Sequence, residues 1–176
     1  MTTLVISYSF TGNNDELASA IAAKTKARHV KVVELKKRTN GTIALDMLFN
    51  RVPRILAEVE DIGSHDLVIF VSPIWMGQVA TPLRACFKKC RLTIKKYAFV
   101  SISGGADGPN SNIEKNLKKW IGKDPEFVLD MHIVEFLPKT PRPTREVTST
   151  YRITEREVSE LAEKVINAAT VKVILK

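Results

Sequence analysis

The sequence predicts a doubly wound α/β domain of three layers, with a five-stranded parallel sheet in the order 2-1-3-4-5 between two layers of helices. Three observations predict it. Apolar runs of strand length alternate with segments of helical periodicity, the pattern of repeated strand-helix-strand units. Leu67-Val68-Ile69-Phe70-Val71 is apolar throughout, as in a strand buried on both faces of a parallel sheet. Right-handed crossovers then favour that strand order.

The first element organises the rest. Leu4-Val5-Ile6-Ser7-Tyr8 makes a buried strand that breaks into the polar turn Ser9-Phe10-Thr11-Gly12-Asn13-Asn14. Asn13 is expected to cap a helix through Leu17, Ala20, Ile21 and Lys24, with Glu16 reaching back to its backbone. The unpaired amides and the dipole of a helix N-terminus suit a phosphate. Ser9, Thr11 and Asn14 can add side-chain donors, and Gly12 lets the backbone close around the oxygens. The loop has no lysine, so it is not the P-loop of nucleotide hydrolases, and the Gly-x-Gly-x-x-Gly fingerprint is missing. Ser9-Phe10-Thr11-Gly12-Asn13 resembles the phosphate loop of the flavodoxin family, which holds the monophosphate of flavin mononucleotide (FMN). That family usually has threonine where this chain has Asn14.

Further along, Val30–Leu35 reads as a second strand, followed by a turn at Asn40-Gly41. Leu45, Leu48, Phe49, Val52, Ile55, Leu56 and Val59 then recur at helical spacing, with Pro53 expected to kink or divide the helix. The strand Leu67–Val71 ends in Ser72-Pro73-Ile74-Trp75-Met76-Gly77-Gln78, at the sheet edge where ligands of open α/β sheets bind. Trp75 is placed to lie against a flat ring. This run, with Pro82, Leu83, Arg84 and Phe87, resembles the second flavin loop of flavodoxin-like proteins and their quinone-reductase relatives.

Tyr97–Ile102 is the fourth strand and opens into the glycine-rich Ser103-Gly104-Gly105-Ala106-Asp107-Gly108-Pro109-Asn110, the third flavin loop by position. Ile113, Leu117, Trp120 and Ile121 form the apolar face of a helix, with Trp120 expected in the core. Phe127–Leu137 supplies the fifth strand, including His132. The proline-rich stretch 138–151 reads as a surface loop, and Thr154 with Glu157 forms a capping box for a last helix through Val158, Leu161, Ala162, Val165 and Ile166.

The 176 residues suit a single domain over 1–176, and the 44% hydrophobic and 26% charged fractions are ordinary for a globular protein. No apolar run approaches the roughly 20 residues of a membrane span, and no signal segment opens the chain, so a cytoplasmic protein is expected. Cys86 and Cys90, without histidines at metal-ligand spacing, read as reduced structural thiols rather than a disulfide or zinc site. The net charge of +8 is spread over Lys36-Lys37-Arg38, Lys88-Lys89, Lys95-Lys96 and Lys118-Lys119. No aromatic residues interleave with these clusters, so solvated faces are favoured over a nucleic-acid site. An acidic partner suits that charge; many flavodoxins, by contrast, are themselves acidic.

The resemblance implies noncovalently bound FMN. Its phosphate would lie at Ser9, Thr11, Gly12, Asn13 and Asn14, with Phe10 of the same loop also at the cofactor. Its ring would contact Ser72, Pro73, Ile74, Trp75, Met76 and Gly77 on the face, and Ser103, Gly104, Gly105 and Asp107 at the edge. No side chain need act as acid or nucleophile, because the cofactor carries the electrons. An electron carrier serving a redox partner protein is the first expectation, and an NAD(P)H-dependent quinone oxidoreductase the alternative. A flavin-free module binding an anionic partner is the third.

Overall fold

The computed structural model describes residues 1–176 apart from 36–38, 58, 60, 175 and 176, so the expected cluster Lys36-Lys37-Arg38 lies outside the described residues. Along the chain come β1 (Thr3–Ser7), α1 (Asn13–Thr25), β2 (Arg28–Lys31), β3 (Val33–Glu34), α2 (Asn40–Leu48) and β4 (Ile55–Leu56). Then follow β5 (Leu67–Val71), β6 (Ile74–Trp75), β7 (Gln78–Val79), α3 (Thr81–Cys90), β8 (Lys96–Ser103) and α4 (Ile113–Ile121). β9 (Val128–His132), α5 (Arg145–Thr150) and α6 (Glu155–Ala169) complete the order. The main sheet runs β2-β1-β5-β8-β9 with every pair parallel, which is the expected order with the short extra strands counted.

Alternation along the strands sorts the apolar side chains into two cores. Leu4, Ile6, Val68, Phe70, Tyr97 and Phe99 pack with Leu83 and Phe87 of α3 and Leu117 of α4. Val5, Ile69, Val71, Ala98 and Val100 face the other way, against Leu17 and Ile21 of α1 and Leu161 and Val165 of α6. Three layers result. Trp120 sits partly buried against the first core. Cys86 and Cys90 are buried within it, and burial pushes each thiol up to about 12, so both are inert at neutral pH.

Several local expectations differ. The second strand breaks at Val32, whose N–H donates to Ser7 O (2.7 Å), and β3 leaves the sheet to pair antiparallel with β4. No turn forms at Asn40-Gly41: a helix begins there, because Thr39 and Thr42 cap its N-terminus reciprocally. That helix stops at Leu48 instead of continuing to Val59, with Asn50 at φ +49 and Pro53 unable to donate to a continuing ladder. The fifth strand ends at His132, and Ile133–Phe136 is a 3-10 turn. The expected surface loop 138–151 contains α5, capped by Thr144. The last helix starts as expected: Glu157 N–H donates to Thr154 Oγ1 (3.3 Å) and Thr154 N–H to Glu157 Oε2 (2.7 Å).

At the sheet edge, the buried Ser7 hydroxyl donates to Asp15 Oδ1 (2.6 Å) and lies 2.8 Å from His29 Nε2. Burial lowers the His29 pKa, partly opposed by the Asp15 carboxylate and reinforced by Lys31. Lys88, Lys89, Lys95, Lys96, Lys118 and Lys119 are all exposed. Among the described residues no helix is long and apolar enough to cross a membrane.

Candidate functional site

The strand order places β1, β5 and β8 side by side, so the loops that follow them are neighbours at the carboxyl end of the sheet. Between them lies a cleft of about 580 Å³. Phe10, Thr11, Asn13 and Asn14 line it from the first loop, Pro73, Ile74, Trp75 and Met76 from the second, and Ser103, Gly104 and Asp107 from the third.

At the first loop the backbone, not the side chains, is what faces outward. Gly12 rather than Asn13 occupies the helix cap, at φ +103, and makes no side-chain cap bond. A Cβ there would touch nothing within 4 Å, so glycine is required by this dihedral and not by crowding. Gly12 N–H donates to Ser9 Oγ (2.9 Å), which closes the turn. Among the described residues the N–H groups of Thr11, Asn13 and Asn14 and the Thr11 hydroxyl have no intramolecular partner. Three amides and a hydroxyl at a helix N-terminus fit a phosphate.

The two asparagine side chains have other work. Asn14 Nδ2 donates to Ile102 O (3.0 Å), and its Oδ1 accepts from Ile102 N–H (2.9 Å). This amide, expected as a phosphate donor, instead continues the ladder at the end of β8; its exposure is 2%. Asn13 Nδ2 donates to Tyr151 O (3.0 Å), and Oδ1 accepts from Ile153 N–H (3.4 Å). Both residues are pinned, which fixes the direction of the amides they carry.

The second loop folds back as a β6–β7 hairpin turning at Met76 (φ +50) and Gly77 (φ +73). Trp75 is held edge-on by Tyr8 at 5.6 Å between ring centroids and by Phe10 at 6.2 Å. Behind this wall the fully buried Arg84 donates to Gln78 Oε1 (2.9 Å) and its guanidinium lies 5.0 Å over the Trp120 ring. Burial lowers the Arg84 pKa, partly opposed by the Asp46 carboxylate.

The third loop is locked from below. Ser103 Oγ donates to Asp130 Oδ1 (2.8 Å), Asn110 Nδ2 to Asp130 Oδ2 (2.6 Å), and His132 Nε2 lies 2.9 Å from Asp130 Oδ2. Gly105, at φ +74, runs so close to His132 that a Cβ would sit 2.6 Å from the histidine Cβ. At the mouth of the cleft Arg145 grips Asp107 with two nitrogens, Nε to Oδ2 at 2.8 Å and Nη2 to Oδ1 at 2.9 Å. This pair raises the Arg145 pKa.

Of the expected contacts, Ser9, Ser72, Gly77 and Gly105 do not line the cleft. Ser9 closes its turn, Ser72 is buried with its hydroxyl on Pro73 O (3.1 Å), and the two glycines shape loops. Gly12 opens on a neighbouring groove. Sequence reasoning missed Ile43 and Ala44 of α2, Ile102, Ile133, and Arg145, Thr148 and Ser149 of α5, all of which line the cleft. The Thr144 cap with its N–H from Val147 was the one local signal for α5.

A parallel sheet of this order, with an anion loop after its first strand and an aromatic hairpin after its third, defines the fold as flavodoxin-like. The chain belongs to the NADPH-dependent FMN reductase family, whose model matches residues 1–123, and FMN is its cofactor. Solved structures share the fold. A Lactobacillus acidophilus flavoprotein in complex with FMN is 22% identical, covering 73% of this chain and 92% of its own, with a TM-score of 0.65. The apo-form of the flavoprotein from the same organism is 20% identical over 77% of this chain and 95% of its own, with a TM-score of 0.58. The Trp repressor binding protein of Bacillus subtilis is 14% identical over 91% and 99%, with a TM-score of 0.51. No curated protein sequence matches the chain.

Proposed function

We propose that the protein is an NAD(P)H-dependent oxidoreductase that works through FMN and reduces a quinone or similar two-electron acceptor. The observation that carries this proposal is the cleft: its lining extends past the three flavin loops to α2 and α5, leaving walls that can retain a second ring beside the flavin. Membership of a reductase family points the same way. FMN supplies the two-electron chemistry when bound. The chain's own residues position it: the amides of Thr11, Asn13 and Asn14 hold phosphate, Trp75 and Phe10 bound the ring region, and the Asp107–Arg145 pair borders the mouth.

The test is NADPH and NADH oxidation by the purified protein, with and without FMN, in the presence of a water-soluble quinone. Steady turnover that requires FMN supports the proposal, with one hydroquinone formed for each nicotinamide oxidised.

A second reading is the electron carrier. Phe10 and Met76 stand 43% and 79% exposed at the rim of the cleft, and the net charge is +8, which suits an acidic redox partner docking at the flavin edge. A carrier would show no steady nicotinamide oxidation alone, yet would be reduced by a separate reductase in a salt-dependent way.

A further inference from the structure

On the far side of the phosphate loop lies a second groove, of about 640 Å³, between α1 and the start of α6. Thr11 and Asn13 border both cavities, and Gly12 between them opens on the groove with nothing within 4 Å of where a Cβ would stand. The family model ends at residue 123, so one bank of this groove, residues 152–159, lies outside the matched segment.

The lining combines small apolar side chains with two carboxylates, Glu16 and Glu155, and two cations, Lys24 and Arg152. Ala20, Ala23 and Val158 make a floor of small apolar side chains on which a purine can lie. Arg152 is the cation for a phosphate: its Nη1 donates to Thr150 O and Tyr151 O, both at 3.1 Å, which orients the guanidinium while its other nitrogens have no partner among the described residues. Lys24 is not that cation, because it is paired with Glu163 at 2.9 Å. Glu16 and Glu155 can accept from ribose hydroxyls. The Asn13 amide ties this bank to the phosphate loop through Tyr151 O and Ile153 N–H, so the two parts are in fixed register.

We propose that this groove takes the adenosine monophosphate half of flavin adenine dinucleotide (FAD), so that the protein accepts FAD as well as FMN, with the pyrophosphate crossing at Gly12. The proposal rests on the flavin site described above. FAD is FMN extended from its phosphate, and the groove begins where that phosphate is held. The adenosine of a nicotinamide donor has no such continuity, because the flavin phosphate would stand between it and the cleft.

Apo-protein is titrated with FMN and with FAD by flavin fluorescence and calorimetry, for the wild type, Ala23→Trp and Arg152→Ala. Ala23 is exposed on α1, so a tryptophan there fills the groove without entering the core, and FMN affinity reports that the variant is folded. The wild type is expected to bind FAD within about tenfold of FMN, and each variant to weaken FAD at least about tenfold with FMN changed less than about twofold. FMN binding with FAD excluded, or variants that leave FAD affinity unchanged or weaken both flavins alike, would overturn the proposal. Absence of binding by both flavins would overturn the cofactor assignment with it. A raised KM for NADPH in FMN-loaded Ala23→Trp, with FAD affinity unchanged, would give the groove to the donor instead and also overturn the proposal.

Discussion

At the phosphate end of the cleft, backbone amides are aimed by buried side chains, Asn14 on Ile102 and Asn13 on Tyr151 and Ile153. At the ring-edge end, an exposed ion pair between Asp107 and Arg145 joins a glycine loop to a short late helix. One end is preorganised by groups withdrawn from water, where each hydrogen bond is hard to replace. The other is held by charges that water and salt screen. Rigid binding is therefore built into the first end, and adjustment is possible at the second.

Asn14→Ala tests the buried end most severely. It strips partners from both the N–H and the C=O of Ile102, a residue only 3% exposed, at a cost of roughly 3 kcal/mol. Thermal unfolding should fall by roughly 6–12 °C for a chain of this size. An unchanged melting temperature would show that the phosphate end is not held as the structure describes.

Gly105→Ala sharpens the contrast at the other end. The new Cβ would meet His132 Cβ at 2.6 Å on a backbone at φ +74, so strain and overpacking together should cost roughly 1–3 kcal/mol. Because the loop below is locked through Asp130, FMN affinity should fall along with stability; denaturant unfolding and flavin titration measure the two.

A smaller effect is expected away from the cleft, at His29. Its folded pKa lies below the 6.5 of the free side chain, so between those values the unfolded chain binds more protons than the folded one. The His29 contribution is therefore present in full above pH 6.5 and is lost as pH falls through that window. His29→Gln should flatten this part of a melting-temperature profile; an unaltered slope would remove His29 as its source.

The smallest change in stability is expected for Arg145→Gln, since both partners of its ion pair are exposed, at 80% and 68% of their side-chain surface. Its melting temperature should match the wild type's. A large drop in melting temperature would erase the distinction between the two ends.

Much of this was legible locally. The strand after Thr2, the apolar Leu67–Val71 run, the hydroxyl-and-glycine loop and the Thr154–Glu157 box all declare themselves within a few residues, because periodicity and capping act over one or two turns of chain. The 45–59 segment misled because its apolar spacing outlasts the helix: Leu45, Leu48 and Phe49 stay exposed and Val59 is buried from a separate stretch.

The alternation of strands and helices, the sheet order and the turn at Gly12 after the first strand are written in the local sequence. These follow from which short runs are apolar and where a glycine permits a positive φ. Only the tertiary structure decided what the asparagines do and what closes the cleft. Asn14 finds Ile102 across 88 residues and Arg145 finds Asp107 across 38, and pairings at that separation are set by how whole layers pack, which no local pattern records.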